Sequence, residues 1–283
     1  MFAVLALLSA VCYGAADFLG GFTAKRANTL AVVVISQLTG LLLLVAMLPV
    51  LPQAAPVRGD VLWGALAGVT GGAGVALLYR ALAIGVMAVV APTTAVCAVA
   101  IPVLMAVALG ERPGAMTIAG IALAIVAIVL VAQSSHSESG TRGEADEPRT
   151  RAFLLALLSG VVIGFFFVAL AQTRSQAGLW PLVVARIVSV SLFAVMALSA
   201  SRSLRIPTAI LPTVAAGGVL DMVANVLYLL ASRFGPLSVV VTLASLYPAS
   251  TVLLARLVLQ ERLTGRQWVG VACALVAVTI IVR

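Results

Sequence analysis

The sequence predicts an all-α integral membrane protein with ten transmembrane helices, arranged as two inverted five-helix repeats. Three observations lead to this fold class. First, 63% of the 283 residues are hydrophobic and only 9% are charged, with a mean hydropathy of +1.22, outside the range of soluble domains. Second, the sequence repeats itself after 150 residues. Third, each repeat holds an odd number of apolar segments.

The repeat is clearest in two stretches. Residues 85–120 match residues 235–270 without a gap, and the matched pairs include Gly85 with Gly235 and Glu111 with Glu261. Residues 5–14 (LALLSAVCYG) match residues 155–164 (LALLSGVVIG) in the same register. The protein is therefore one unit written twice. We divide it into a first repeat (1–133), a polar linker loop (134–151) and a second repeat (152–283).

Ten apolar segments are long enough to cross the hydrocarbon layer, which takes roughly 20 helical residues. They show no strand-like alternation, so helices are expected. We place them at residues 2–22, 29–50, 61–83, 87–109, 114–133, 152–172, 178–200, 208–232, 235–259 and 264–283. Because five crossings return the chain on the opposite face, the second repeat is expected upside down relative to the first. Inverted repeats are typical of secondary transporters, whose substrate site lies between the repeats.

Several other classes of protein are disfavoured. The first segment is apolar like a secretory signal, but it lacks a basic start and its repeat partner is internal. The net charge of +8 comes from scattered loop residues without an aromatic platform, which argues against nucleic-acid binding. The three cysteines are far apart and His136 is the single histidine, so no disulfide framework, metal site or cofactor is predicted. The linker, rich in Ser, Gly and charge, is expected to be a mobile surface loop.

Two turns carry a resemblance to a known family. LGERP at 109–113 and LQERL at 259–263 each follow a proline-containing helix and precede a Gly-centred closing helix. With ten helices and 150-residue repeats, the chain resembles the EamA-type proteins of the drug/metabolite transporter superfamily over its full length. The resemblance implies an exporter whose cavity is walled by helices 1 to 4 and 6 to 9, with helices 5 and 10 outside.

Four residues are assigned to turns and kinks. Glu111 and Glu261 lie where one helix ends and the next begins, and a carboxylate there can accept bonds from the N–H groups of the following helix. Pro102 and Pro248 each remove a helical hydrogen bond, which is tolerated where the backbone faces protein or a wet cavity. We expect hinges or cavity lining at both prolines. Pro102 lies four residues later than the counterpart of Pro248, so the two kinks are expected a helical turn apart.

Polar residues inside the apolar segments are the functional candidates, because an ionisable side chain there is costly and usually faces the bundle interior. Asp221 and Asn225 lie one turn apart near the middle of helix 8 and share a face, and Arg186 lies about two turns into helix 7. Asp17 and Arg80 lie toward the ends of helices 1 and 3, where they could pair. The neutral candidates for the cavity lining are Tyr13, Gln37, Tyr79, Tyr228, Ser245 and Tyr247.

Two roles are open for Asp221 and Arg186. They can form a buried ion pair that only joins helices 7 and 8, or they can contact a substrate. Their repeat counterparts are Gly71 and Ser36, and this asymmetry suits a substrate site better than a scaffold that both halves share. A carboxylate whose arginine partner moves away during a transport cycle can also take up a proton.

The predicted function is secondary active transport: export of small amphipathic metabolites (amino acids, amines or drugs) by alternating access, in exchange for protons. The alternatives are a carrier of phosphorylated or sugar-linked substrates and a facilitative uniporter. An enzyme would need a nucleophile and base or a metal cluster, which the scattered carboxylates do not offer, and a membrane scaffold would leave the midplane charges unexplained. The expected partners are a small-molecule substrate, protons and the lipid bilayer, but no nucleic acid. We expect a multi-pass protein of the inner (plasma) membrane, as a monomer or a homodimer.

Two arguments disagree on the orientation of the termini. Leaving out Arg80, Arg186 and Arg256, nine basic residues lie in loops on the side away from the termini and five on the side of the termini. The positive-inside rule therefore favours external termini, whereas the family resemblance implies cytoplasmic ones. We follow the family, because three of the nine residues lie in the acidic linker.

Overall fold

The computed structural model describes residues 1–50, 54–133, 146–199, 204–260 and 265–282, and these ranges are helical with short connections. The helices are α1 (Phe2–Ala24), α2 (Thr29–Met47), α3 (Arg58–Ile84), α4 (Met87–Ala108), α5 (Ala115–Gln133), α6 (Asp146–Ala171), α7 (Trp180–Ser199), α8 (Leu211–Ser232), α9 (Leu237–Ala244), α10 (Tyr247–Leu259) and α11 (Gly265–Val282). Within the described residues, eight segments are long and apolar enough to cross a membrane. They are α1 to α4, α6 to α8, and α9 with α10 taken as one span.

Most helix ends lie within a few residues of the sequence prediction, and α6 is the exception. It begins at Asp146, so residues 146–151, which the prediction placed in the linker loop, are helical. The sequence contains the reason: Asp146 and Glu147 place negative charge in the first turn, and Pro148 tolerates an early helical position. The rest of the linker, including His136, and the predicted turn residue Glu261 lie outside the described residues.

The predicted helix 235–259 is two helices. A turn at Ser245 and Leu246 separates α9 from α10, and Pro248 lies in the first turn of α10. Proline is tolerated there because the N–H groups of the first turn make no hydrogen bond within the helix. Pro102 lies inside α4, which also contains Pro92 and continues past both prolines. The two proline sites therefore differ: the second helix is interrupted just before Pro248, whereas α4 continues through Pro102.

Contacts between helices of the two halves occur in equivalent pairs. Replacing each helix by its counterpart 150 residues away turns one contact of a pair into the other. α1 packs against α8 as α6 packs against α3, and α2 packs against α8 as α7 packs against α3. The hydrogen bonds follow the same rule: Ser9 Oγ donates to the Ala224 carbonyl and Ser159 Oγ to the Gly74 carbonyl, each at 2.8 Å. The first helix of each half is therefore bound to the third helix of the other half by equivalent contacts.

Close packing between α3 and α7 depends on glycine. Gly64, Gly68 and Gly72 are spaced four apart on α3 and face α7. A Cβ on Gly68 would lie 2.9 Å from the Ala185 Cα, and one on Gly72 would lie 2.9 Å from the Ser189 Cβ. These glycines let the two helices approach more closely than larger residues would allow, and α7 thereby brings Arg186 to the centre of the bundle.

Candidate substrate cavity

A cavity lies inside the bundle where α1, α3, α6, α7, α8 and α10 meet, with about 480 Å³ of empty space, counting its opening. Both halves of the chain contribute to it. Its lining residues are Tyr13, Asp17, Gly71, Val75, Leu78, Ile163, Phe166, Phe167, Arg186, Asp221, Asn225 and Tyr247. A smaller pocket continues from it along the α3–α7 interface and shares Gly71, Phe166, Arg186 and Asn225 with it.

Eight of the lining residues form four pairs of repeat equivalents, and in each pair only one member carries a polar side chain. The polar members all come from α1 and α8, and the apolar members all come from α6 and α3. We call the first set the polar wall and the second set the apolar wall. The pairs, polar member first, are Tyr13 with Ile163, Asp17 with Phe167, Asp221 with Gly71, and Asn225 with Val75.

A chain of hydrogen bonds joins α7, α8 and α1 along the polar wall. The Arg186 guanidinium donates to Asp221 Oδ2 in a buried ion pair. Asn225 Nδ2 donates to the Asp221 carbonyl at 2.6 Å and to Asp221 Oδ2 at 3.3 Å, and its Oδ1 accepts from Tyr13 Oη at 2.9 Å. The positive charge of Arg186 and the negative charge of Asp221 therefore compensate each other, and the polar groups of Tyr13 and Asn225 are occupied.

Asp17 is the ionisable residue of the cavity that this chain of hydrogen bonds leaves out. It is 7% exposed, and among the described residues no hydrogen bond or ion pair joins it to a donor. The predicted pairing with Arg80 is wrong: Arg80 is exposed, and it follows the lining residue Leu78 by two positions, which turns it to nearly the opposite face of α3. The described residues also place no group of three or more His, Cys, Asp or Glu together for a metal ion.

Tyr247 adds a second unsatisfied group. It is 2% exposed, and its Oη has no hydrogen-bond partner in the described part of the chain. Its ring centroid lies 6.5 Å from that of Tyr13, whose ring in turn lies 6.0 Å from that of Phe167. A buried hydroxyl without a partner is costly, so this position at the start of α10 is suited to a bound molecule.

Three of the neutral candidates lie in packed positions outside the cavity lining. Gln37 is buried and accepts a hydrogen bond from Ser189 Oγ at 3.4 Å. Tyr228 donates to the Phe167 carbonyl at 3.1 Å. The ring of Tyr79 occupies the space that a side chain at Gly20 would need. These polar groups are used for contacts between helices.

The apolar wall was missed by sequence reasoning, which weighed only polar residues. The repeat itself carries the signal that could have found it. Shifting Asp17, Asp221 and Asn225 by 150 residues leads to Phe167, Gly71 and Val75, and all of these line the cavity. When the helices of one half pack against those of the other half, both residues of an equivalent pair can face the space between the halves.

Glu111 accepts hydrogen bonds at a helix N terminus, but the helix is not the one that was predicted. Its carboxylate accepts from the Leu237 N–H at 2.8 Å, from the Ser238 N–H at 3.3 Å and from Ser238 Oγ at 2.6 Å. These donors begin α9 of the other half, whereas the following helix is α5. The first N–H groups of α9 lack partners within their own helix, and Glu111 lies close enough to satisfy them.

An ion pair joins α3 to the segment after α6 at the end of the bundle where α3 begins. Asp60 accepts from the Arg174 N–H at 2.9 Å and from its guanidinium at 2.9 and 3.1 Å, and it also accepts from the Val57 N–H. We call this contact the α3–α6 clasp. The equivalent positions of the other wall hold Ala24 and Ile210, both buried. The clasp therefore belongs to one helix pair only.

Comparisons with known proteins agree with this architecture. The EamA-like transporter family matches residues 1–133 and 150–283. A solved structure titled "Crystal structure of protein" is similar with a TM-score of 0.72 and 16% sequence identity, over 98% of this chain and 95% of that one. At this identity the likeness shows the fold alone. No curated protein sequence matches the chain. The chain therefore belongs to the EamA-like transporter family, and with its many apolar helices it is a multi-pass membrane protein.

Proposed function

We propose that this protein is a secondary transporter that exports small amphipathic metabolites through the cavity by alternating access, in exchange for protons. The observation that carries the proposal is the division of the cavity into a polar wall and an apolar wall. Small-molecule sites combine a mostly apolar lining with a few placed polar groups. A cavity with two such walls suits a molecule with one polar and one apolar end.

The proposed architecture is ten spans in two inverted repeats, with α5 and α11 as the spans outside the eight described above. The start of α1 lies beside the loop after α8, since a Cβ on Gly235 would lie 2.6 Å from the Phe2 ring. That loop contacts the segment after α6, because Arg233 Nη2 donates to the Gly178 carbonyl at 2.5 Å. α1 therefore starts at the end where α6 finishes, which supports opposite directions for the two repeats.

Alternating access requires that one end of the cavity is closed while the other is open. At the end where α1 starts, two contacts join the halves: the α3–α6 clasp and the bonds from Glu111 to α9. These contacts support a conformation closed at that end. The turn between α9 and α10 is a place where a change of direction costs no helical hydrogen bonds, and we propose it as a hinge.

Proton coupling is assigned to Asp221. In the structure, Arg186 is bound to this carboxylate in an ion pair. If Arg186 leaves when the cavity changes shape, an unpaired buried carboxylate is costly and takes up a proton. We propose this exchange as the link to the proton gradient, in a protein of the inner (plasma) membrane with cytoplasmic termini. An active periplasmic reporter fused after Arg283 would contradict that orientation.

The test is efflux from proteoliposomes under an imposed pH gradient, screened over amino acids, amines and dyes. Asp221→Asn keeps size and hydrogen bonding but removes the titration, so gradient-driven efflux should be lost while downhill exchange remains. Arg80→Gln is the control, because it also replaces a charged side chain with an amide, but at an exposed position outside the cavity, and it should keep the coupling. Undiminished gradient-driven efflux by Asp221→Asn would remove its coupling role.

Two alternatives are separated by the same experiment. Downhill transport without any response of the wild type to the gradient would indicate a uniporter. A carrier of phosphorylated or sugar-linked substrates remains the second candidate because Arg186 lines the cavity. Among the lining residues, however, Arg186 is the single cation, and it is bound to Asp221. Transport of phosphorylated compounds alone would decide for this second candidate.

A further inference from the structure

We propose that the substrate is an amphipathic amine without a carboxylate, held as a cation at Asp17, rather than a zwitterionic amino acid. The inference rests on the proposed function and narrows its substrate class. It follows from three features of the cavity: the balance of its charges, the groups that have no partner, and the placement of its aromatic rings.

The charges of the cavity do not balance. Its lining holds the carboxylates of Asp17 and Asp221 and the single guanidinium of Arg186. Since Arg186 and Asp221 form an ion pair, one carboxylate is left over when both are ionised. That carboxylate belongs to Asp17, which is 7% exposed. Ionisable groups at such depth are costly unless paired, and a bound ammonium group would supply the missing partner.

A substrate carboxylate, in contrast, finds no free cation among the lining residues. To bind Arg186, it would have to displace Asp221 and leave that side chain buried and unpaired. Tyr13 and Asn225 are already bonded to each other. The cavity therefore binds an amine without rearrangement, whereas an amino acid would have to break the ion pair. Binding a zwitterion would therefore leave the Asp221 carboxylate buried without a partner. This cost disfavours the amino acid beyond the mere lack of a free cation for its carboxylate.

The remaining lining fits the rest of such a molecule. The hydroxyl of Tyr247 is buried without a partner and can accept a hydrogen bond from an ammonium group. The rings of Tyr13, Phe167 and Tyr247 form a series with centroid separations of 6.0 and 6.5 Å, and aromatic faces attract cations. Ile163 and Val75 of the apolar wall would receive the hydrocarbon part.

The test compares two probes that differ by one carboxylate, 2-phenylethylamine and phenylalanine, by calorimetric titration of the purified full-length protein. The wild type should bind the amine at least about tenfold more tightly. Asp17→Asn should weaken amine binding by at least about tenfold and leave the amino acid unchanged. Arg80→Gln, which replaces a charged side chain with an amide at an exposed position outside the cavity, is the control and should keep the wild-type ratio. Tyr247→Phe, which removes the unpartnered hydroxyl, should weaken amine binding about fivefold and provides an independent variant if Asp17→Asn does not fold.

The outcomes separate this inference from the proposed function. Equal or tighter binding of phenylalanine, no amine binding by the folded wild type, or unchanged amine binding by folded Asp17→Asn would each overturn the amine assignment. Proteoliposome efflux of amino acids in that situation would leave transport standing. Amine binding that depends on Asp17, without flux of any compound, would support the cation site and overturn the transporter.

Discussion

The α1–α8 pair and the α3–α6 pair occupy equivalent places in the two repeats but carry opposite charge patterns. Inside the cavity, α1 and α8 provide the polar wall with two carboxylates, and α3 and α6 provide the apolar wall. At the end of each pair the pattern is reversed: Asp60 and Arg174 form the α3–α6 clasp, whereas Ala24 and Ile210 occupy the equivalent positions. The α1–α8 pair therefore carries its acidic groups in the cavity, and the α3–α6 pair carries its acidic group at the end of the bundle where α3 begins.

The two helix pairs pack in the same way although their charges lie in different places. The same serine-to-carbonyl hydrogen bond holds both pairs together, from Ser9 in one and from Ser159 in the other. Once these shared contacts support the scaffold, the cavity positions are free to diverge. The buried carboxylates lie on one wall, and the cost of Asp221 is reduced there by Arg186 from α7.

Arg186→Ala should have the largest effect, because it leaves Asp221 of the polar wall buried without its counter-charge. We expect a loss of about 3–5 kcal/mol in the free energy of unfolding, measured by denaturant titration in mixed micelles. In the Asp221→Asn background the same change should cost much less, since no charge is left unpaired. An equal cost in both backgrounds would mean that the two side chains are not coupled.

Asn225→Val should make this position of the polar wall like its equivalent, Val75. It removes the acceptor of the Tyr13 hydroxyl, which leaves a buried donor unsatisfied, and the expected cost is about 1–3 kcal/mol. Thermal unfolding in detergent measures the change. Tyr13→Phe in the same background removes the stranded hydroxyl and should restore part of the stability. If Asn225→Val alone is neutral, the bond at 2.9 Å between these side chains contributes nothing.

Asp60→Asn should loosen the α3–α6 clasp and so make the two pairs more alike. The cost in stability should be at most about 1 kcal/mol, because Arg174 is 46% exposed and water screens the pair. The sharper measurement is accessibility: a cysteine introduced at the fully buried Ala177, with the native cysteines replaced, should react faster with a maleimide in Asp60→Asn. The same cysteine in the wild-type background is the control. Equal reaction rates would show that the clasp does not keep this end closed.

Ser9→Ala and Ser159→Ala should have the smallest effects and, above all, equal ones. Each removes one side-chain hydrogen bond between helices, worth about 0.6 kcal/mol on average in a membrane protein. Parallel thermal melts of the two variants provide the measurement. A clear inequality would show that the walls differ in their scaffold as well as in their lining, contrary to the comparison drawn above.

The repeat, the positions of most helices and the most polar residues of the cavity could be predicted from the amino-acid sequence. Hydropathy suffices for the helices, because a chain in a bilayer must satisfy its backbone within each segment, and this demand is local. Asp221, Arg186 and Asn225 were identifiable because charge in such segments is rare and must face inward. The break between α9 and α10 was not predicted, although Pro248 lies close to it. A proline alone does not show that a helix ends, because α4 continues through both Pro92 and Pro102.

The tertiary structure sets which faces of the helices meet. It turned Arg80 to the outside, used Gln37 and Tyr228 for packing, and directed Glu111 to α9 of the other half. It also placed Phe167, the repeat equivalent of Asp17, in the lining of the cavity. These contacts join residues more than 50 positions apart, and the rotation of each helix about its axis depends on the side chains of its neighbours. The sequence pattern of a single helix does not specify this rotation, because the rotation depends on how the two halves pack against each other.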